Sequence, residues 1–524
     1  MNKNELASSI AKASIILFII GIAGKIIGFL REIIYANNFG LSSEFDLFLT
    51  VSAIPIVINT AVLFLSQHYF IPSYNRIKNQ DFNSSNIDKY GDEFFNYTFW
   101  WFLISSIAIS LGLVLLSQPI MQFYLSSVSV DIQNKGTHIF LLFLLTIPIN
   151  ACISVITAYL QANFNFIYPV VLQLVLNLII IVIILLFTST FGIYILPLSF
   201  ILGYIIVFIL ISRPVLKKLK FTASKIFITK YQKSDINILI SLIFIEGFSL
   251  SYILADRYFI GVVPEGGIAA LNYATVIYLL PITIFSIPLI TTIFSKFSQS
   301  SVKTPGSMVQ DFISASKINI YIIIPSIMIL IYWGEYFLRL FYERGQFKAS
   351  DTIITHQALQ YYCLGLVFYS SYLIVVKLLY SLSEYFKVLI ISIIALLLKI
   401  ALNFILVSSL EQNGLALSTS LIYIFLFLIG FYFAHNKLNS NNKFIHISTV
   451  IYFLINAILS YIASNIFILL LNIDSVLTNL LGITIFLFLY VINSCLLDDN
   501  EFNLIKDAII KFLSLNRIVK SKVV

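Results

Sequence analysis

Apolar residues fill this chain in long blocks instead of alternating with polar ones. Fourteen such runs stand at approximately 13–35, 45–71, 94–117, 138–160, 168–188, 191–212, 236–260, 268–294, 312–334, 358–382, 387–407, 414–434, 446–471 and 476–496. A hydrocarbon core of ~30 Å needs about 20 apolar residues per helix. Lipid offers no partner to backbone N–H and C=O groups, so each run predicts a membrane-spanning helix. Only Thr188–Gly192 parts the fifth run from the sixth, and Glu411–Gly414 the eleventh from the twelfth. The first run carries Lys25 and lacks a small-residue cleavage site, so it reads as a retained helix. Pro55, Pro148, Pro281, Pro288 and Pro325 fall inside runs and predict bends supported by neighbouring helices.

Composition narrows the class. The 524 residues are 59% hydrophobic and 11% charged, against roughly 25% charged in soluble domains. That excludes a water-soluble fold, and disorder with it. Cys152, Cys363 and Cys495 all lie in apolar runs, so they make neither a disulfide framework nor a zinc site and read as small buried hydrophobes. The fold class is therefore an all-α polytopic membrane protein.

The basic residues set an orientation. Of 32 Lys and Arg, 22 fall in segments on the N-terminal side, 4 on the opposite side, and the rest in or beside helices. This bias predicts both termini in the cytoplasm. The net charge of +8 then reports basic inner loops and not a nucleic-acid surface. The segment 213–235 is a basic linker whose lysines face anionic headgroups. Residues 500–518 place Phe502, Ile505, Ile509, Phe512 and Leu513 on one face, the pattern of a short interfacial helix.

An internal repeat organises the spans. Arg31, Gly40, Asp46 and Pro55 recur as Arg257, Gly266, Asn272 and Pro281, all 226 residues later. The same offset pairs Gln173 and Asn177 with Lys399 and Asn403. The expected organisation is an N-lobe over 1–212, the linker 213–235, and a C-lobe over 236–435. Two further spans over 446–496 and a cytoplasmic tail over 500–524 follow. The six-helix lobes start from the same side and are parallel repeats. A transporter with its site between two rocking lobes has this form.

Ionisable residues inside the spans are the candidate site. Each costs roughly 2.5–3.5 kcal/mol to insert at a helix centre, so each needs a polar cavity or a partner. Lys25, Arg31, Glu32 and Asp46 lie in the first pair of helices, and Glu246, Asp256, Arg257, Lys377 and Lys399 in the second lobe. Lys25 and Glu32 are seven apart and share a face. Lys25, Lys377 and Lys399 lie too deep to snorkel. Arg31 and Arg257 stand near span ends, where snorkelling is the competing reading. If equivalent, these two arginines lie at similar depth on the two lobes. The five cations Lys25, Arg31, Arg257, Lys377 and Lys399 outnumber the carboxylates and suit an anionic headgroup such as a pyrophosphate. Glu32, Glu246 and Asp256 are the carboxylates available for cation coupling, or for structural ion pairs. No phosphate-binding loop, HExxH, Cys/His metal spacing or GxSxG occurs, so neither an ATP-driven step nor an enzyme is expected, and no cofactor. Membrane potential or a monovalent cation remains as the driving force.

The stretch Gly28-Phe29-Leu30-Arg31-Glu32, followed by Phe39-Gly40, Asp46, Ile54-Pro55, Ser66-Gln67 and Phe70-Ile71-Pro72, resembles the opening of the MurJ-type lipid II flippases. These belong to the multidrug/oligosaccharidyl-lipid/polysaccharide exporter superfamily. Phe341-Tyr342-Glu343-Arg344-Gly345-Gln346-Phe347 is similar to the family's loop between spans 9 and 10. The resemblance implies two lobes around a central cavity with alternating access in the bacterial cytoplasmic membrane. It implies an undecaprenyl-pyrophosphate-linked saccharide as substrate, with the lipid tail in a groove near spans 13 and 14. Cell-envelope synthesis proteins and membrane lipids are the implied partners. It puts Arg31 in the cavity and matches Asp46 to the family's acidic position. Asn59-Thr60 and Thr275-Val276 stand where the family usually carries arginines. An O-antigen, capsule or teichoic unit flippase is therefore one alternative, and a cation-coupled small-molecule exporter another.

Overall fold

The computed structural model describes residues 3–80, 87–220, 233–303, 305–438, 447–471 and 476–496. Every regular element among them is helical. Ten helical stretches are long and apolar enough to cross a membrane. Two of these, Ile167–Ser212 with 46 residues and Tyr385–Leu438 with 54, are more than twice the length that one crossing needs. The helices Lys3–Phe39 and Lys233–Arg257 carry the first and seventh apolar runs. The expected interfacial helix at 500–518 and most of the linker lie outside the described residues.

Prolines mark where the long helices change course. Chain pairing breaks at Ser52 and again at Leu145, three residues before Pro55 and Pro148. Each proline then sits in the first turn of the next helix, where its missing N–H costs nothing. Pro281 precedes a π turn at Ile282–Ser286. Pro325 stays within the helix Pro305–Tyr332. Large apolar side chains such as Leu115, Leu186, Leu469 and Phe488 are mostly exposed, as a surface solvated by lipid requires.

The described residues form two compact units. The first comprises Met1–Ala270, Tyr342–Asp351 and Asn403–Gln412, and the second Leu271–Phe341, Thr352–Leu402 and Asn413–Val524. In the second, helix Pro305–Tyr332 packs on Ile447–Leu471 and Val476–Leu496 through Tyr321, Ile324, Trp333, Phe453, Phe486 and Tyr490. Asn456 ties the last two helices by donating to Tyr490 O and Ser494 Oγ.

Backbone conformation supports the repeat and corrects part of its register. Gly40 and Gly266, 226 apart, both adopt positive φ, 53° and 81°. A Cβ at Gly40 would lie 2.5 Å from Gln346 O, and one at Gly266 2.5 Å from Leu41 O, so both turns need glycine for conformation and for space. Later landmarks keep a different offset. Phe164 and Ser383 share φ near 60°. Gly192 (φ 53°, ψ −135°) and Glu411 (φ 51°, ψ −132°) share an unusual conformation. The bond Asn165 N→Leu160 O recurs as Glu384 N→Leu379 O, and Ser199 Oγ→Leu196 O as Ser418 Oγ→Leu415 O. All of these pairs are 219 apart. Lys399 therefore matches Ile180 and not Gln173, and Asn403 matches Ile184 and not Asn177. Seven residues make about two helical turns, so the slip keeps every residue on its face and a pattern of residue types does not reveal it.

Candidate functional site

A cavity of about 700 Å³ opens within the first unit. Its walls are the helices Lys3–Phe39, Ala53–Leu65 with the π turn Ser66–Phe70, Thr146–Ala162, Ile167–Phe191 and Ile195–Ser212. Lys25 and Arg31 line it from the first of these. Among the described residues, no Asp or Glu lines it.

Arg31 is held in place by four neighbours. Its Nη1 donates to Asn177 Oδ1 at 3.0 Å and its Nη2 to Glu32 Oε1 at 2.8 Å. The guanidinium also lies 5.5 Å from the ring centre of Tyr35 and 5.8 Å from that of Phe200. Glu32 is buried and engaged in this pair. A planar donor fixed this way loses little freedom on meeting an anion.

Most of the wall is apolar, with Ile56, Leu63, Phe143, Ile153 and Val170 among its residues, and its remaining polar groups are neutral. Asn150, Ser154, Thr157 and Gln161 follow at spacings of four, three and four, one stripe along a helix. Asn59 Nδ2 donates to Thr146 Oγ1 at 2.9 Å, and Asn150 Nδ2 to Asn59 O at 3.0 Å. These bonds pin the Asn59 helix to the Asn150 helix. Gln67 enters from the π turn, whose wider winding shifts the residues that follow onto a new face. Gln173 and Asn177 lie one turn apart on the helix Ile167–Phe191. The stripe from Asn150 to Gln161 was visible in the sequence as regularly spaced polar residues inside an apolar run. A search restricted to charged residues passes over it.

The remaining sequence candidates have other neighbours. Asp46 is buried and accepts from Gly266 N at 2.7 Å and Ala269 N at 2.6 Å. It thus caps the first turn of helix Gly267–Tyr278 across 220 residues of chain. Arg257 is buried as the last residue of its helix and donates to Ile268 O at 3.3 Å. Arg31 stands inside a helix that continues to Phe39, so the two arginines do not share a setting. Asp256 accepts from Asn403 Nδ2 at 2.9 Å, and Glu246 is half-buried on the same helix. Lys377 lies in the second unit, 5.2 Å from the ring centre of Phe294 and 5.5 Å from that of Tyr380. Lys399 is fully buried there. Its Nζ donates to Leu415 O at 3.0 Å, Ser418 Oγ at 2.8 Å and Thr419 Oγ1 at 2.6 Å. Of the predicted site residues, the cavity of the first unit brings together Lys25 and Arg31. Among the described residues, no group of three or more His, Cys, Asp or Glu is arranged to hold a metal ion.

Comparison with known proteins agrees with this architecture. The family described as lipid II flippase MurJ matches residues 35–492. A probable lipid II flippase MurJ of Borreliella burgdorferi is 26% identical over 431 residues, 80% of this chain and 82% of that protein. One of Aquifex aeolicus is 27% identical over 381 residues, 69% and 70% of the two chains. Among solved structures, a lipid II flippase MurJ in an inward closed conformation superposes with a TM-score of 0.77 at 22% identity. It covers 92% of this chain and 98% of that one. An inward-facing multidrug resistance MATE family transporter of the MOP superfamily gives 0.66 at 13% identity, covering 79% and 94%.

Proposed function

The chain belongs to the MurJ family of lipid II flippases, and on that premise we propose that it carries lipid II across the bacterial cytoplasmic membrane with the cavity beside Arg31 as headgroup site. The observation that carries the assignment of the site is its charge: among the described residues, Lys25 and Arg31 line the cavity and no carboxylate does. A pyrophosphate entering it meets a guanidinium already fixed by Asn177 and Glu32 and an ammonium on the same helix. Asn59 and Thr60 are neutral, so the positive charge in this wall comes from the Lys3–Phe39 helix. A small-molecule exporter that binds cations would be served by carboxylates in this wall.

In this reading the chain crosses the membrane fourteen times with both termini in the cytoplasm, supported by the Lys and Arg bias. The substrate is moved and not altered chemically. The cavity is exposed to one leaflet and then the other, driven by the membrane potential or a monovalent cation. The capping of Gly266 and Ala269 by Asp46 is one contact that an outward opening has to break or carry along.

The test is depletion followed by complementation. Cells lacking the chain should accumulate lipid II on the inner leaflet, and the wild-type chain should clear it. The Lys25→Gln, Arg31→Gln double variant should insert normally and fail to clear it, with transport down at least 100-fold. Clearance at the wild-type rate by that variant would overturn the site assignment.

A further inference from the structure

The second unit holds a charge that takes no part in the cavity of the first. Lys399 is fully buried, and its Nζ reaches from one arm of the hairpin Tyr385–Leu438 to Leu415 O, Ser418 Oγ and Thr419 Oγ1 on the other. Both hydroxyls donate to Leu415 O, Ser418 at 2.8 Å and Thr419 at 2.9 Å. Their hydrogens are spent there, so towards Lys399 they offer lone pairs only. Three acceptors call for three N–H donors, and the nitrogen is therefore an ammonium and not an amine.

The hairpin does not need this charge in order to form. In the first unit, Ile167–Ser212 repeats the turn and the bond from Ser199 Oγ to Leu196 O, with Ile180 buried at the position of Lys399. A charge that costs roughly 2.5–3.5 kcal/mol to insert, where isoleucine serves the same backbone, has another use. The oxygens around it say which. Neutral carbonyl and hydroxyl oxygens are what a monovalent cation accepts in exchange for its hydration shell. Thr419 is half-buried, so its side of the cage borders accessible space.

We propose that the Lys399 ammonium is a tethered monovalent cation, which permanently holds the charge that a dissociable ion would bring to this oxygen cage and so makes transport independent of sodium and potassium. The proposal rests on the flippase reading for its transport step and on Lys399, Leu415, Ser418 and Thr419 for its location. A ligand drives a conformational change only through unequal affinity for the two states. A covalently held cation has no free form, so no ion gradient acts through this cage. Of the membrane potential and a monovalent cation, the potential remains as the driving force.

The test uses the full chain and two readouts. In lipid nanodiscs, the wild-type thermal midpoint should agree within about 1 °C in sodium, potassium and choline chloride at equal concentration, since an ion that binds the folded chain raises it. Lys399→Ala should lower the midpoint by about 5 °C or more, because three buried oxygens lose their donor. Sodium chloride or n-propylammonium chloride, but not choline chloride, should return about half of that loss. Where Lys399→Ala fails to fold, Thr419→Val removes one oxygen and keeps the lysine. It should lower the midpoint by about 3 °C, and no change would overturn the cage. In proteoliposomes at fixed potential, replacing sodium by choline should alter wild-type flipping of lipid II less than about twofold and slow Lys399→Ala about fivefold or more. A wild-type midpoint raised by sodium, a wild-type rate that collapses without it, or a folded Lys399→Ala chain that neither cation restores overturns the proposal. A chain that moves no lipid II in any salt defeats the flippase reading instead, and the thermal readout still decides the cage.

Discussion

Two helical hairpins of this chain share a turn and differ in what lies between their arms. Ile167–Ser212 reverses at Gly192 and Tyr385–Leu438 at Glu411, with φ and ψ within 3° of each other. Leu196 and Ser199 of the first match Leu415 and Ser418 of the second, down to the hydroxyl-to-carbonyl bond. Two of the positions that differ bear on the charge between the arms. The first hairpin has Ile180 and Phe200 where the second has Lys399 and Thr419. Ile180 and Lys399 are both fully buried. The second hairpin surrounds its ammonium with three oxygens, one for each N–H. In the first, Phe200 lies beside Arg31 and leaves the guanidinium for the cavity. One backbone thus accepts a sealed cation in one copy and an apolar contact beside an open cavity in the other. The deciding feature is whether oxygens replace the water that the charge gives up.

The sharpest way to break this comparison is to move the charge. Ile180→Lys puts an ammonium where Phe200 replaces the Thr419 oxygen. It should cost about 3–5 kcal/mol, read as a fall in thermal midpoint of the detergent-solubilised chain. Adding Phe200→Thr should return about 1 kcal/mol, the worth of one hydrogen bond. A single variant within 1 kcal/mol of wild type, roughly the error of such a comparison, would show that oxygens are not what separates the hairpins.

The turns at the other end of the repeat come next. Asp46 caps the helix after Gly266, whereas its repeat partner is the neutral Asn272. Asp46→Asn keeps the shape but aims an amide at one of the two N–H groups. A loss of about 2–3 kcal/mol is expected, since hydrogen bonds to charged groups are the stronger ones. Unchanged stability of this variant in the same assay would mean that the carboxylate's charge contributes nothing there.

The hairpin turns themselves give a smaller pair. Glu411 holds a conformation that favours glycine, and Gly192 holds the same one with open space where a Cβ would go. Gly192→Ala should therefore cost about 1–2 kcal/mol from backbone strain alone, and Glu411→Gly should relieve a similar strain. Opposite signs for the two substitutions would sharpen the comparison, and equal signs would defeat it.

The smallest effect lies at the far end of the second hairpin, outside the membrane-spanning helices. Glu384 accepts from Lys437 at 2.6 Å and from Lys387 at 3.1 Å. The hydrogen bond from Lys437, then that from Lys387, holds its carboxyl below the usual glutamate value. A depressed folded value means the contribution is present above the unfolded value of about 4.3 and is lost as pH falls through the folded one. The site is near the surface, so the gain is at most about 1 kcal/mol. Glu384→Gln should lower the thermal midpoint slightly at pH 7, and the gap should close in acid. A gap that persists there would place the effect in packing and not in charge.

Much of the helical order was legible beforehand, because an apolar block of twenty residues has one stable form in lipid. The glycine turns at 40 and 266 and the proline breaks could be placed for the same local reason. That Lys25 and Arg31 need a polar surrounding was legible, since their charge has to reach something polar. The register of the second half was not, because a two-turn slip leaves the apolar pattern intact. Nor was the fate of Asp46 or Lys399. Burial cost says that a charge needs a partner, but many partners at many distances meet that need.

The sequence by itself determined a polytopic helical membrane chain, its doubled first turn and the cation pair on its first helix. These follow from local terms, the transfer of side chains into lipid and the backbone angles open to glycine and proline. Only the tertiary structure decided that Asp46 caps Gly266 and Ala269, that Lys399 is sealed by Leu415, Ser418 and Thr419, and that Asn59 and Ser154 meet Arg31 in one cavity. Each is a pairing between segments distant along the chain. Hydrogen bonds depend on a few tenths of an ångström and on direction, and packed helices, not residue types in order, set those distances.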